Sequence, residues 1–254
     1  MLSKAEIKRL SRYKQSKFRN QDNLFVVEGE KMLSELLESE YDIQSIYATT
    51  QWIEKNKAII QTKGVVNKTI EISEEDLNKI SLLSTPNQVY SLVKIPQENS
   101  YNSNKGLTIV LDGIKDPGNL GTIIRLADWF AIERIICSSD CVDVFNPKTV
   151  QSTMGSIFRV KVEYTDLKIF LGNLPKDYPI YGSIVEGGES IYEKDFQKDS
   201  ILVIGSESHG ISQEIRKYIN QNITIPRFRA DNKPESLNAS IATAIIISEI
   251  LKTK

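Results

Sequence analysis

The sequence predicts an α/β protein: a larger C-terminal part built on a mainly parallel sheet with helices on both faces, preceded by a smaller α/β part. Three observations predict it. From Leu107 onward, short apolar runs of strand length alternate with helical patterns, and strands buried on both faces read this way. Before Pro96 the runs are more amphipathic, and the pattern reads α, α, β, α, β. Between the two lies Pro96-Gln-Glu-Asn-Ser-Tyr-Asn-Ser-Asn-Lys-Gly106, polar and rich in turn residues, the best linker in the chain. The expected organisation is a first domain over 1–97, a linker over 98–106 and a second domain over 107–254.

In the first domain, Leu2 to Arg12 has helical spacing. Phe25-Val-Val27 is a short strand ahead of an acidic helix with Met32, Leu33, Leu36 and Leu37 on one face. Ile43 to Ala48 is a strand. Ser73-Glu-Glu-Asp76 has the form of a capping box before Leu77 and Ile80, and Gln88 to Ile95 is a further strand. In the second domain, strands are expected at Leu107–Leu111, Arg134–Cys137, Tyr178–Val185, Ile201–Ile204 and Ile223–Ile225. Helices are expected at Asn119–Phe130, Pro147–Ser156, Gln213–Ile219 and Ser236–Leu251.

A net charge of −1 gives the whole molecule no electrostatic preference, but the charge is unevenly placed. Residues 1–20 carry Lys4, Lys8, Arg9, Arg12, Lys14, Lys17 and Arg19 against one acid, Glu6. An acidic helix follows. A basic arm of this kind suits a polyanion; a solvated helix face is the plainer alternative. Two cysteines and a single histidine, His209, are too few for a zinc site, so no metal is expected. Leu237 to Leu251 is too short and too polar for a bilayer, so no membrane contact and a cytoplasmic location are expected.

Three polar segments lie at strand ends, where open α/β sheets bind ligands. The first, Asp112 to Arg125, is Gly- and Pro-rich but has neither dinucleotide nor P-loop spacing. Asn119 could cap the helix that follows. Arg125 gains nothing from the helix dipole near an N-terminus; placed to share a face with Asn119, it suits a phosphate or carboxylate, or else a structural ion pair. The second, Gly205-Ser-Glu-Ser-His-Gly210, follows an apolar strand, and its glycines allow close backbone approach. Glu207 lies between them; His209, with no orienting partner in sight, reads as a surface histidine rather than a base. The third joins Ile225-Pro226 to Ser236-Leu-Asn238, with Ser236 as the expected N-cap and Leu237, Ile241 and Ile245 as the buried face of the last helix.

Taken in order, Asn119-x-Gly121-x-Ile123-x-Arg125-x-Ala127, Gly205-x-Glu207-x-x-Gly210 and Ile225-Pro226…Ser236-Leu-Asn238-x-Ser240 resemble the three motifs of the SpoU group of SPOUT RNA methyltransferases. Asn146-Pro-Lys148 and Gly155-Ser156 resemble the segment between motifs, and the match covers about residues 105–254. The basic start, Phe25-Val-Val-Glu-Gly29 and Gln88-Val-Tyr90 resemble the substrate-binding domain of the same family, which has the fold of a small RNA-binding ribosomal protein.

The resemblance implies a trefoil knot in the C-terminal domain, a homodimer, and S-adenosylmethionine as cofactor, held by Gly205, Gly210, Ile225, Ser236 and Leu237 largely through backbone groups. It implies a catalytic neighbourhood of Asn119, Arg125, Glu207, Ser236 and Asn238, with Arg125 acting across the dimer. It implies methylation of a ribose 2′-hydroxyl on structured RNA, rRNA ahead of tRNA, with Lys8, Arg9, Arg12, Lys14, Lys17 and Arg19 on the RNA. One departure stands out: the bridge from Pro226 to Ser236 is longer than the family's, and its Arg227, Arg229 and Lys233 are placed to touch RNA. A non-catalytic RNA-binding protein of the same fold is the alternative reading; a nicotinamide enzyme is disfavoured by the missing fingerprint.

Overall fold

A computed structural model describes residues 1–83, 85–97, 105–228 and 236–252. The chain divides into two compact units, Met1–Glu98 with Asp143–Arg159, and Asn99–Val142 with Val160–Lys254. Most of the expected linker, and part of the long bridge with Arg229 and Lys233, fall outside the described residues.

The first unit opens with α1 (Lys4–Ser11) and α2 (Ser16–Asp22), then β1 (Leu24–Glu28), α3 (Glu30–Leu37), β2 (Ile43–Ala48), α4 (Thr50–Lys55), α5 (Lys57–Thr62), β3 (Thr69–Glu71), α6 (Glu74–Ile80) and β4 (Val89–Lys94). The capping signals act as their chemistry dictates. Ser3 and Glu6 form a reciprocal box at α1, and Ser73 accepts from the Asp76 amide at α6. The sheet order is β1-β4-β2-β3, with β1 and β2 antiparallel to β4. One face carries Leu24, Val26, Tyr90 and Leu92 against Leu10, Leu77 and Ile80. On α3, Met32, Leu33, Leu36 and Leu37 are all buried, as the helical spacing requires.

Arg19 departs from its expected role. Its guanidinium is 2% exposed; it donates to the carbonyls of Tyr13 (2.8 Å) and Lys14 (3.0 Å) and pairs with Asp143. A buried charge is tolerated only when paired, and breaking such a pair costs ~3–5 kcal/mol. Arg19 is therefore a structural residue and not a phosphate contact. Lys8, Lys14 and Lys17 are exposed, whereas Arg9 reaches the Tyr47 hydroxyl (3.1 Å) and Arg12 pairs with Asp22.

The second unit contains β5 (Leu107–Asp112), α7 (Pro117–Trp129) and β6 (Arg134–Ser138). The chain then passes through α8 (Pro147–Thr153), which packs in the first unit, and returns for β7 (Lys161–Thr165), α9 (Leu167–Gly172), β8 (Ile180–Ser183), β9 (Glu189–Ser190), β10 (Ser200–Gly205), α10 (Gln213–Arg216), β11 (Gln221–Thr224) and α11 (Ala239–Ile250). Seven strands lie in the order β7-β6-β5-β10-β8-β11-β9, and each paired neighbour is parallel. β5 to β7 grow in one direction from β5, and the later strands occupy the other side. The reversal of order therefore falls between β5 and β10, where an open sheet leaves a crevice at its carboxyl edge.

Two helix starts differ from expectation. α7 begins at Pro117, capped by Asp116, whose side chain accepts from the Asn119 amide; Asn119 itself is inside the helix. α11 begins after Asn238, not after Ser236. Its buried residues are Ala239, Ser240, Thr243, Ile246, Ile247 and Ile250, a face that a start at Leu237 does not define. Leu237 and Ile241, expected inside, are 48% and 53% exposed.

Candidate functional site

The carboxyl ends of β5 and β10 are in register, Gly205 beside Asp112, so the turns that follow them are neighbours. Asp112 accepts the Ser212 amide at 2.7 Å, which ties the end of β5 to the chain leaving the second turn. That turn closes on itself: Ser206 and Gly210 exchange backbone hydrogen bonds of 3.1 and 2.8 Å. The closure explains Gly205. A Cβ there would lie 2.1 Å from the Gly210 carbonyl carbon, so the close approach is between two stretches of the protein's own backbone.

A cleft of about 400 Å³ opens at this edge. The ends of β8, β10 and β11 form its floor, and Gly205, Glu207, Gly210, Ile225, Ser236 and Leu237 all line it. Every residue expected to hold the cofactor therefore reaches one cleft. Its volume falls within the ~300–1,000 Å³ of small-ligand sites.

Beside the cleft runs a directed chain of amides. The side-chain oxygen of Asn238 accepts from the Ser240 and Ile241 amides (3.0 and 3.3 Å), capping α11, and from the Ser240 hydroxyl (2.7 Å). That capping fixes the orientation of the amide, because its nitrogen must then face away from the helix. The nitrogen donates to Asn119 Oδ1 at 2.8 Å, and the Asn119 nitrogen donates to Glu207 Oε1. A helix cap thus sets the direction of each donor as far as the Glu207 carboxylate. Asn119 is 8% exposed, so its polar atoms need these partners.

Arg125 is not part of this chain. Six residues at ~100° each leave it ~120° around α7 from Asn119, so the shared face expected from sequence does not exist. Arg125 is exposed and makes no hydrogen bond or ion pair with the described residues. His209 is exposed as expected, with Nδ1 2.8 Å from the Ser208 hydroxyl.

The N-terminus of α7 is closed to an anionic ligand, since Asp116 already occupies it and Pro117 offers no N–H. Sequence reasoning missed several groups packed around this turn. Gly113 donates its amide to Ser138 Oγ (2.9 Å), and Lys115 holds Asp140 (2.7 Å), an ion pair that keeps the Asp140 carboxyl below its usual range. Cys141 lies beneath, its thiol lowered to about 7 chiefly by the neighbouring Cys137 thiol. Only the two-strand register brings these together, and no short motif announces it.

Residues 106–248 match the SpoU rRNA Methylase family, and residues 4–91 match the MRM3-like substrate binding domain. The chain is 27% identical to the 23S rRNA (guanosine(2553)-2′-O)-methyltransferase RlmP of Bacillus subtilis, over 91% of this chain and 90% of that one. A putative RNA methyltransferase of the TrmH family from Porphyromonas gingivalis superposes with a TM-score of 0.84 at 35% identity, covering 98% of each chain. An AdoMet-bound rRNA methyltransferase from Sinorhizobium meliloti superposes with a TM-score of 0.83 at 25% identity, covering 98% and 95%. Three ordered motifs meeting at one sheet edge, and a family match over more than half its length, lead to one assignment: the chain belongs to the SpoU rRNA methylase family.

Proposed function

We propose that this protein methylates a ribose 2′-hydroxyl of 23S-type rRNA, with S-adenosylmethionine as methyl donor. The observation that carries this reading is the cleft, lined by the second and third motifs and bordered by the Asn238–Asn119–Glu207 chain, through which the first motif joins it. The lining fits the cofactor. Ile204, Ile225, Leu237, Ala239 and Ala242 give apolar walls for a purine, and Glu207 puts a carboxylate where a cationic ligand is held. The backbone groups of Ile225 and Leu237, unpaired among the described residues, suit its polar edges. When bound, S-adenosylmethionine supplies a methyl group already activated by its sulfonium.

The residues then have to position a hydroxyl in line with that methyl group while its proton passes to solvent water. Ser236 and Asn238 orient the hydroxyl, and Glu207, fixed by Asn119, holds the shape of the rim. Arg125 binds an RNA phosphate beside the target ribose. A guanidinium stays protonated, so Arg125 serves as an electrostatic clamp and not as a free base.

The same reading includes a homodimer in which Arg125 serves the partner's cleft. Two features support it: Arg125 faces away from its own Asn119, and Trp129, Leu237 and Ile241 leave large apolar surface exposed on α7 and at the start of α11, 85% exposed at Trp129. The knotted chain path, Lys8, Arg9, Arg12, Lys14 and Lys17 as RNA contacts, and a cytoplasmic location belong to this proposal. No helix among the described residues is long and apolar enough to cross a membrane.

The test is transfer of labelled methyl from S-adenosylmethionine to protein-free 23S rRNA, with the product mapped by resistance of the modified ribose to alkaline cleavage. Labelled 2′-O-methyl nucleotide supports the proposal. Cofactor and RNA binding without transfer would favour an RNA-binding protein that has kept the fold.

A further inference from the structure

The methylase family match runs without a break through residues 106–248, yet Asp143–Arg159 packs with the first unit. β6 and β7 are adjacent parallel strands, Arg134 beside Lys161, and a parallel pair needs a crossover. This crossover leaves the sheet after Val142, whose amide donates to the Ile114 carbonyl (2.8 Å), and returns at Lys161, whose amide donates to the Glu133 carbonyl (3.0 Å). What lies between is built into the substrate-binding unit.

The packing there is specific. β1 is the edge strand of its sheet, yet all five of its residues are buried. Leu24 and Val26 face the α1 and α6 side, so alternation turns Phe25 to the other face. There Phe25 meets the Phe145 ring at 4.7 Å and is fully buried. Tyr41 stacks edge-on against Phe158 (5.2 Å) and donates its hydroxyl to the Ile157 carbonyl (3.1 Å). Its burial pushes the phenol up to about 12. Arg159 pairs with Glu35 at 2.5 Å, and Asp143 neutralises the buried Arg19. Gly155, at φ +100°, passes so close that a Cβ would lie 2.6 Å from the Glu35 side chain. Residues 1–98 alone leave Phe25 with the Tyr41 ring but without Phe145, and Arg19 without its carboxylate.

We infer that Asp143–Arg159 is the closing element of the substrate-binding unit, and that through it Phe145 and Tyr41 position bound RNA for methyl transfer. The inference rests on the methyltransferase reading above. Both ends of the element are anchored in the methyl-transfer sheet, and its middle is fixed to β1, α2 and α3. The chain therefore passes between the two units not only near 98–99 but also at 142–143 and at 159–160. Phe145 and Tyr41 act through this packing, so both are positioning residues.

The test uses the full chain. In native-state hydrogen exchange at low urea, amides of 143–159 should open together with β1 and β4, at the same urea dependence, and not with β6 and β7. Phe145→Ala and Tyr41→Phe should lower kcat about tenfold at saturating RNA and cofactor, counted per cofactor-binding site. RNA and cofactor Kd should stay within twofold, and Phe145→Leu should recover most of kcat. A purely structural role would lower Tm and leave kcat per site unchanged. Tyr41→Phe keeps the buried ring, so it decides the question if Phe145→Ala does not fold. Opening of 143–159 with β6 and β7, or a kcat within twofold of wild type, overturns the inference. A wild-type chain that transfers no methyl to RNA overturns the functional reading instead, while the exchange result still decides where the segment belongs.

Discussion

Asn238 donates its side-chain amide to Asn119 Oδ1 at 2.8 Å while its own oxygen caps α11. One residue thus belongs to the third motif, starts the last helix and orients the first motif. Asn238→Asp keeps the cap acceptor but removes the donor. Asn119 must then turn its amide over and present oxygen to the Glu207 carboxylate. We expect a loss of ~1–3 kcal/mol for the unsatisfied buried group and at least a tenfold fall in methyl transfer, read by thermal unfolding and labelled-methyl assay. Full stability with full activity would mean that the chain of amides is incidental.

Gly205→Ala places a methyl group 2.1 Å from the Gly210 carbonyl carbon. The turn cannot yield without breaking the Ser206–Gly210 pair, so overpacking of ~1–3 kcal/mol or more follows. Cofactor affinity, measured by calorimetry, should fall at least tenfold because the cleft floor moves with the turn.

Arg125→Ala should behave in the opposite way. The side chain is exposed and unpaired among the described residues, so stability should stay within ~0.5 kcal/mol of wild type. Cofactor affinity should be nearly unchanged and methyl transfer abolished. A large loss of cofactor affinity would show that Arg125 binds the cofactor and not the RNA.

The exposed lysines of the first unit make a salt-dependent prediction. Lys8, Lys14 and Lys17 changed together to Gln should weaken RNA binding and flatten the dependence of log K on log salt by ~0.7–0.9 per lost phosphate contact. An unchanged slope would place the RNA elsewhere. Arg19 is unsuitable for this test because its removal attacks the fold.

Asp22 carries a pH prediction. Hydrogen bonds from the Tyr13 hydroxyl and then the Arg12 guanidinium hold its carboxyl below its ordinary value of 3.8. A lowered native pKa adds stability above the unfolded value and loses it as pH falls through the native one. Asp22→Asn should therefore lower Tm at pH 7, and its difference from wild type should shrink as pH drops below 3.8. A difference constant with pH would assign the effect to packing.

Much of this architecture can be read from the residues. The apolar runs at Leu107 and Ile201 are strands within a residue of where their composition puts them, because strands buried on both faces need continuous β-branched and aliphatic sequence. That Gly205 and Ile225 line one cleft is legible because both sit at strand ends, positions that the sheet brings together automatically. What sequence misread depends on angles and partners. A spacing of six residues, near two turns, suggests that Arg125 shares a face with Asn119, and the helix phase separates them. Ser236 and Asn238 are both good caps, and only the burial of Ile246, Ile247 and Ile250 decides between them. Arg19 reads as one more basic residue until Asp143, 124 positions away, is seen beside it. The same distance in sequence hid the placement of Asp143–Arg159.

The most direct test of the central claim is incubation of the purified chain with labelled S-adenosylmethionine and protein-free 23S rRNA, followed by nucleoside analysis. The account predicts label in a 2′-O-methylated ribose at a single rRNA position, lost in Arg125→Ala. Label on a base, or none in any RNA despite cofactor binding, would contradict it.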